Sequence, residues 1–253
     1  MAGVLQLTGI NKIFDTGKQH VTALENVDID IGGGDLFCIL GPSGCGKSTL
    51  LRCIAGFEHP DSGEILVDGK AVDRPGPDRV MVFQGFDQLL PWKTVLENVE
   101  YPLKVNKTAA KKERRDISME FVSLVGLADF AHNYPHQLSG GMKQRVAIAR
   151  SLAFKPSLLL MDEPLSSLDA LTRETLQQFI LEIWREHNLT LVLVTHSIEE
   201  AVFLGSTIAV MSERPGTIIE TIVNPLAGTP GYRQRPEFHK VCSRLRSLLG
   251  VGN

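Results

Sequence analysis

What the chain lacks narrows its reading first. No uninterrupted apolar run approaches the roughly 18 residues that a membrane-spanning helix needs, so no span is expected. The opening Met1-Ala2-Gly3-Val4-Leu5-Gln6 has neither the basic nor the apolar region of a secretion signal. Cysteine is scarce: Cys38, Cys45, Cys53 and Cys242 show no C-x-x-C pairing, and reduced thiols in a cytosolic protein account for them. A formal charge of −3 gives no electrostatic reason to expect a nucleic-acid partner. Internal repeats and low-complexity segments are absent from the sequence. What is there is ordinary for a globular protein: 253 residues, 43% hydrophobic and 22% charged, enough for one large α/β domain or two small ones.

One stretch stands out from that background. Gly41-Pro42-Ser43-Gly44-Cys45-Gly46-Lys47-Ser48-Thr49 matches the phosphate-binding loop G-x-x-x-x-G-K-[ST]. Backbone N–H groups grip a polyphosphate only where the chain wraps close to it, and glycine permits that approach. The following helix turns its free donors and positive dipole end toward the same anion. Lys47 adds a point charge for the terminal phosphates and Ser48 a hydroxyl for Mg²⁺. Context agrees, since the apolar run 36–40 precedes the loop and 48–55 reads as a helix. A nucleoside triphosphate site follows. Cys45, next to Lys47 and a helix N-terminus, is expected to have a lowered thiol pKa and to be the reactive cysteine.

The surrounding chain alternates between strand and helix patterns. Val27, Ile29 and Ile31 alternate with Asp28 and Asp30, a half-buried strand. Phe14, near the end of the first strand region, is either an edge aromatic or a platform for a purine ring. Ile65 and Val67 are expected to face Ala71 and Val72 across an Asp68-Gly69 hairpin turn. Arg79 to Phe83 is a short strand that leads to Gln84. Phe86, Leu89, Leu90, Pro91 and Trp92 then form an unusually apolar loop, which either packs an insert onto the core or meets a partner. Ile117, Phe121, Leu124 and Val125 share one face of a helix that Gly126 can end.

Two later stretches carry chemistry. Ser139 caps a helix beginning Gly140-Gly141, a second helix start able to bind an anion. Leu158 to Met161 is a buried strand ending in Asp162-Glu163. Beside a phosphate loop, Asp162 can hold Mg²⁺ through water, and Glu163 is placed to polarise an attacking water. His196 lies just past the strand 190–194, at the sheet edge where doubly wound folds bind ligands.

In this order the motifs resemble the ATPase subunit of an ABC transporter: the phosphate loop, Gln84, Leu138-Ser139-Gly140-Gly141, Leu158 to Glu163, Ser167-Leu168-Asp169 and His196. Finer features are similar to the nitrate, sulfonate and taurine importer group, namely Pro77-Asp78-Arg79, Leu89-Leu90-Pro91-Trp92, Leu171-Thr172-Arg173 and Arg214-Pro215-Gly216. Departures occur at Met142, at Leu165-Ser166-Ser167, at Ser197 and at Gly205-Ser206, which bear on the subgroup and not on the ATPase chemistry.

The resemblance implies an α/β P-loop NTPase: a RecA-like core with an N-terminal antiparallel β portion and an α-helical subdomain insert. Its bounds are about 1–88 and 156–223 for the core, 89–155 for the helical subdomain and 224–253 for a tail. ATP and Mg²⁺ are the implied cofactors, with ATP on Phe14 and residues 41–49, and Mg²⁺ on Ser48, Gln84 and Asp162. Glu163, His196 and Gln84 take the catalytic roles, His196 at the γ-phosphate and Gln84 sensing Mg²⁺ and the permease. Ser139, Gly140 and Gly141 serve ATP held by a second copy in a head-to-tail dimer, with Asp169 near the interface. The implied partners are that second copy, transmembrane permease subunits and a substrate-binding protein, at the cytoplasmic face of the membrane. An ATPase of an exporter, or of a soluble non-transport system, is the alternative.

Overall fold

The structure is a computed structural model, and it describes residues 4–15, 17, 19–85, 88–106, 110–166 and 168–250. Phe86 and Ser167, both singled out from the sequence, lie outside these.

Two sheets form the frame. The first is antiparallel with strand order β2-β1-β4-β5, built from β1 (Leu5–Asp15), β2 (His20–Ile31), β4 (Ser62–Val67) and β5 (Lys70–Ala71). Its alternation puts Val27, Ile29 and Ile31 into the core and leaves Asp28 and Asp30 exposed, as period-2 patterning dictates. The hairpin at Asp68-Gly69 forms with a two-residue turn. That length sets Val67 opposite Lys70 and Leu66 opposite Ala71, so Val67 does not face Ala71. Val72 does reach Ile65, by an N–H bond to its carbonyl of 2.9 Å.

The second sheet has order β10-β9-β3-β8-β7-β6, from β3 (Leu36–Leu40), β6 (Arg79–Val82), β7 (Leu158–Asp162), β8 (Thr190–Thr195), β9 (Thr207–Met211) and β10 (Ile218–Val223). β3, β6, β7, β8 and β9 run parallel, and β10 closes one side antiparallel. Parallel strands covered on both faces read as continuous apolar runs, and β3 and β7 are buried at every position. Alternate residues serve two cores. Phe37, Ile39, Leu158 and Leu160 pack toward α1 (Lys47–Ala55) and the antiparallel sheet. Cys38, Leu40, Leu159 and Met161 pack toward the remaining helices.

Between β6 and β7 run α2 (Val95–Val105), α3 (Lys111–Leu124) and α4 (Gly140–Leu152). Thr94 and Glu97 close a capping box at the start of α2, and Gly126 lies at positive φ just past α3. α5 (Ala170–His187), α6 (Ile198–Leu204) and α7 (Pro236–Leu248) complete the helical layer. α7 packs on α6 through Phe238, Cys242 and Leu245, so the tail contributes to the core.

Candidate nucleotide site

Because β3, β6, β7 and β8 are parallel and adjacent in register, their carboxyl ends share one edge of the sheet. Leu40 pairs with Thr195 and Asp162 with Val194. The loop after β3, the two carboxylates ending β7, and His196 after β8 are therefore neighbours, and Gln84 follows β6 on the same edge.

The loop itself is tightly fitted. Gly46 sits at φ 116°, and a Cβ there would come within 2.7 Å of the Ala23 carbonyl. Lys47 is buried, its Nζ donating to the carbonyls of Gly41 at 2.8 Å and Pro42 at 2.9 Å, with Glu163 Oε1 at 3.9 Å. Ser48 Oγ donates to Asp162 Oδ1 at 2.8 Å. Burial raises the Asp162 carboxyl above its ordinary value, Glu163 adding to the rise while the Ser48 hydroxyl opposes it. Glu163 holds φ 43°, a left-handed conformation that costs a non-glycine residue roughly 1–2 kcal/mol. The strained residue carries the carboxylate that meets His196, whose Nδ1 lies 2.9 Å from Glu163 Oε2. A carboxylate only accepts, so Nδ1 carries the hydrogen of this bond.

Gln84 joins this cluster at one remove. Its Nε2 donates to Ser166 Oγ at 3.2 Å, and Ser166 Oγ donates to the Glu163 carbonyl at 3.0 Å. Asp169 caps α5, accepting from the Thr172 N–H at 3.0 Å, and the Thr172 hydroxyl together with that N–H holds its exposed carboxyl below the usual value. Ser139, Gly140 and Gly141 are placed elsewhere. They open α4, where Ser139 Oγ accepts from the Met142 N–H at 3.3 Å and Gly141 lies against Thr172 of α5. Phe14, 36% exposed, ends β1 with the Lys12 ammonium 5.3 Å from its ring centre.

Two readings change. Cys45 is buried, and burial outweighs Lys47 and pushes its thiol pKa up, so it is not an activated thiolate. The apolar loop divides: Leu89 is 4% exposed and belongs to the core, whereas Pro91 is exposed and Trp92 is 70% exposed.

Residue-by-residue reading missed a second tier of contacts. Arg173 Nη2 donates to the Leu168 carbonyl at 2.7 Å, and its Nε lies 3.6 Å from Glu200 Oε1. Glu200 Oε2 in turn accepts from Thr195 Oγ1 at 2.8 Å, tying the segment before Asp169 to the residue before His196. Arg214 Nη2 and Nε donate to the Gly44 carbonyl at 2.7 and 3.1 Å. The Thr195-x-x-x-x-Glu200 spacing across a helix cap was a legible signal for the first of these pairings. The Arg214 bond, spanning 170 residues, had no local signal beyond its Arg-Pro-Gly turn.

A phosphate loop feeding a helix, with carboxylates at the end of a neighbouring parallel strand, defines a P-loop nucleotide-binding protein. The solved dimeric post-hydrolysis state of an ATP-binding cassette bound to ADP and Pi matches it with a TM-score of 0.76 at 36% identity, over 87% of this chain and 98% of that one. The family model described as ABC transporter matches residues 24–166, and the chain belongs to that family. Among its curated relatives, the nitrate import ATP-binding protein NrtD of Synechocystis is 46% identical across 97% of this chain and 94% of the relative. The bicarbonate transport ATP-binding protein CmpD of Synechocystis is 43% identical across 91% and 82%. The taurine import ATP-binding protein TauB of Pelagibacter ubique is 48% identical across 86% and 82%.

Proposed function

We propose that the chain is the ATP-hydrolysing subunit of an ABC importer, and that its solute is a small oxyanion or sulfonate of the nitrate, bicarbonate and taurine kind. The observation that carries the ATPase reading is the convergence of Lys47, Ser48, Asp162, Glu163 and His196 on one phosphate loop. The solute class rests on the relatives alone.

Within that reading, Lys47 leaves its loop carbonyls for the terminal phosphates. Glu163 takes a proton from water, the water oxygen bonds to the γ-phosphorus, and the bond to the β–γ bridging oxygen breaks to give ADP and phosphate. His196 contacts the γ-phosphate through the face of the ring away from Glu163. Among the described residues, no group of three or more His, Cys, Asp or Glu is placed to hold a metal. The hydroxyl of Ser48, the carboxylate of Asp162 and the amide oxygen of Gln84 fit Mg²⁺, which keeps several waters and asks for few protein oxygens. An Mg²⁺ ion held by these oxygens would supply positive charge against the negative charge of the phosphates. Phe14 offers an exposed ring for the purine.

Ser139, Gly140 and Gly141 stand apart from this cluster, which suits a role toward ATP on a second copy, with Asp169 at the shared interface. Residues 89–155 act as a helical subdomain against a core of 1–88 and 156–223. Among the described residues no helix is long and apolar enough to cross a membrane. In this reading permease subunits supply the pathway and a substrate-binding protein the capture. The chain then works at the cytoplasmic face as a peripheral subunit.

The test is a melting curve with ATP–Mg²⁺ beside a turnover assay. At about 100 times its dissociation constant, ATP stabilises the wild type by roughly 2.7 kcal/mol, and Lys47→Ala loses that shift. Glu163→Gln retains the shift while turnover falls about 10²–10⁴-fold. A wild-type curve that ATP leaves unmoved rejects the nucleotide assignment, and near-normal turnover of Glu163→Gln reassigns the base.

A further inference from the structure

The Arg214-Pro215-Gly216 turn between β9 and β10 belongs to none of the motifs that bind nucleotide, yet it touches the phosphate loop at two points. Arg214 places two guanidinium donors on one oxygen, the Gly44 carbonyl, at 2.7 and 3.1 Å. Gly216 backs the loop from beneath, where an added Cβ would stand 2.3 Å from the Cys45 carbonyl oxygen.

The loop needs such support. Between residues 41 and 45 its backbone bonds are long, with Cys45 N to the Pro42 carbonyl and Gly41 N to the Thr195 carbonyl both at 3.4 Å, beyond the usual range. Over the same residues the short bonds are those of Lys47 to Gly41 and Pro42, and those of Arg214 to Gly44, while Leu50 N meets the Gly46 carbonyl at 2.9 Å where the helix begins. When Lys47 turns to the phosphates, the Arg214 pair is what continues to hold the loop's outer wall. That wall is exposed at Ser43 and Gly44.

The turn is a firm anchor. Gly216 N donates to the Ala23 carbonyl at 3.1 Å, and Glu25 N donates to the Gly216 carbonyl at 3.0 Å, so the turn is stitched to β2. Ser212 Oγ donates to the Pro215 carbonyl at 2.9 Å and accepts from Thr217 N at 2.9 Å, closing the turn on itself.

We propose that Arg214 is a positioning residue for nucleotide binding: it holds the Gly44–Cys45 peptide in place, so that its N–H, which here makes only the long 3.4 Å bond to the Pro42 carbonyl, is available to the polyphosphate. A cation on the carbonyl of a peptide also polarises the group and makes its N–H a stronger donor. The planar fork of Arg sets two donors on one oxygen, which the single ammonium of Lys does not match. The proposal rests on the reading of residues 41–49 as the ATP site, and it adds to that site a residue from outside the nucleotide-binding motifs.

The experiment measures ATP and ADP dissociation constants by calorimetry, kcat and KM, and nucleotide-free melting for the full-length wild type, Arg214→Ala and Arg214→Lys. Bonds to charged groups are the stronger class, so Arg214→Ala weakens ATP and ADP alike by about ten- to hundredfold. Its kcat and nucleotide-free melting temperature stay at the wild-type values, and Arg214→Lys recovers part of the affinity. Unchanged affinities overturn the proposal. A loss confined to ATP also overturns it, because a brace on the loop acts on both nucleotides whereas direct γ-phosphate contact does not. A fall in nucleotide-free melting temperature that accounts for the weaker binding overturns it as well, reducing Arg214 to a fold contact. Wild-type protein that binds neither nucleotide rejects the ATP site itself, a result distinct from the other three.

Discussion

At the scale of single residues, the site stores unfavourable terms where its chemistry is concentrated. Asp162 is buried next to Glu163, and burial raises its carboxyl above the unfolded value of about 3.9. The fold therefore holds the protonated form better than the ionised one. Stability from this group is fully present below the unfolded pKa and is lost as pH rises toward the raised folded value. Asp162→Asn removes that loss while keeping an oxygen to accept from Ser48. The nucleotide-free, Mg²⁺-free variant should melt above the wild type at neutral pH, and the difference should close as pH falls below the ordinary carboxylate range. Its Mg²⁺-dependent turnover should be lost. Melting scans at several pH values check this, and a variant that melts lower at pH 7 shows that the Ser48 bond outweighs burial. Stability given up for activity at such a position is a common trade.

At the scale of elements, most of the frame was legible because pattern and burial agree. The unbroken apolar runs at 36–40 and 158–161 are the pattern that parallel strands covered on both faces show, and the structure buries each residue of β3 and β7. The start of α4 was marked by Ser139, whose side chain caps it locally, and that of α1 by the phosphate loop, which enters it through Gly46 without a side-chain cap. The motif order also led to the group Lys47, Ser48, Asp162, Glu163 and His196, since each lies at the end of an apolar run or in the segment just after one. Failures came where a property depends on distant packing. Cys45 has every local feature of an activated thiol, yet Met211 and Gly216 from β9 and the following turn crowd its neighbourhood, and desolvation wins. Leu89 and Trp92 sit three residues apart in one apolar loop, but only tertiary contacts decide that the first is core and the second is exposed. The link from Leu168 through Arg173 to Glu200 is invisible for the same reason, because it joins the start of α5 to a side chain of α6.

At the scale of the whole molecule, the exposed ring of Trp92 asks for a partner. It lies just before α2, eight residues beyond Gln84, and Gln84 reaches the Glu163 carbonyl through Ser166. A body docked at Trp92 can thus bias the same segment that nucleotide biases, which is the requirement for coupling two sites. A short helix from a permease laid against this surface suits its apolar, aromatic character. The exposure of Trp92 sets the expected energetics. A side chain 70% open to solvent contributes little core packing, so Trp92→Ala should leave the melting temperature and the ATPase rate of the isolated subunit nearly unchanged. Exposed aromatics at interfaces behave otherwise, since truncating a central Trp commonly costs about 2 kcal/mol or more of binding. Co-purification of the variant with its permease should therefore fall sharply while the free subunit behaves as wild type. Leu89→Ala provides the contrast. At 4% exposure it should lose roughly 2–5 kcal/mol of stability before any partner is added. Full assembly of Trp92→Ala with the permease would move the docking surface elsewhere on the molecule.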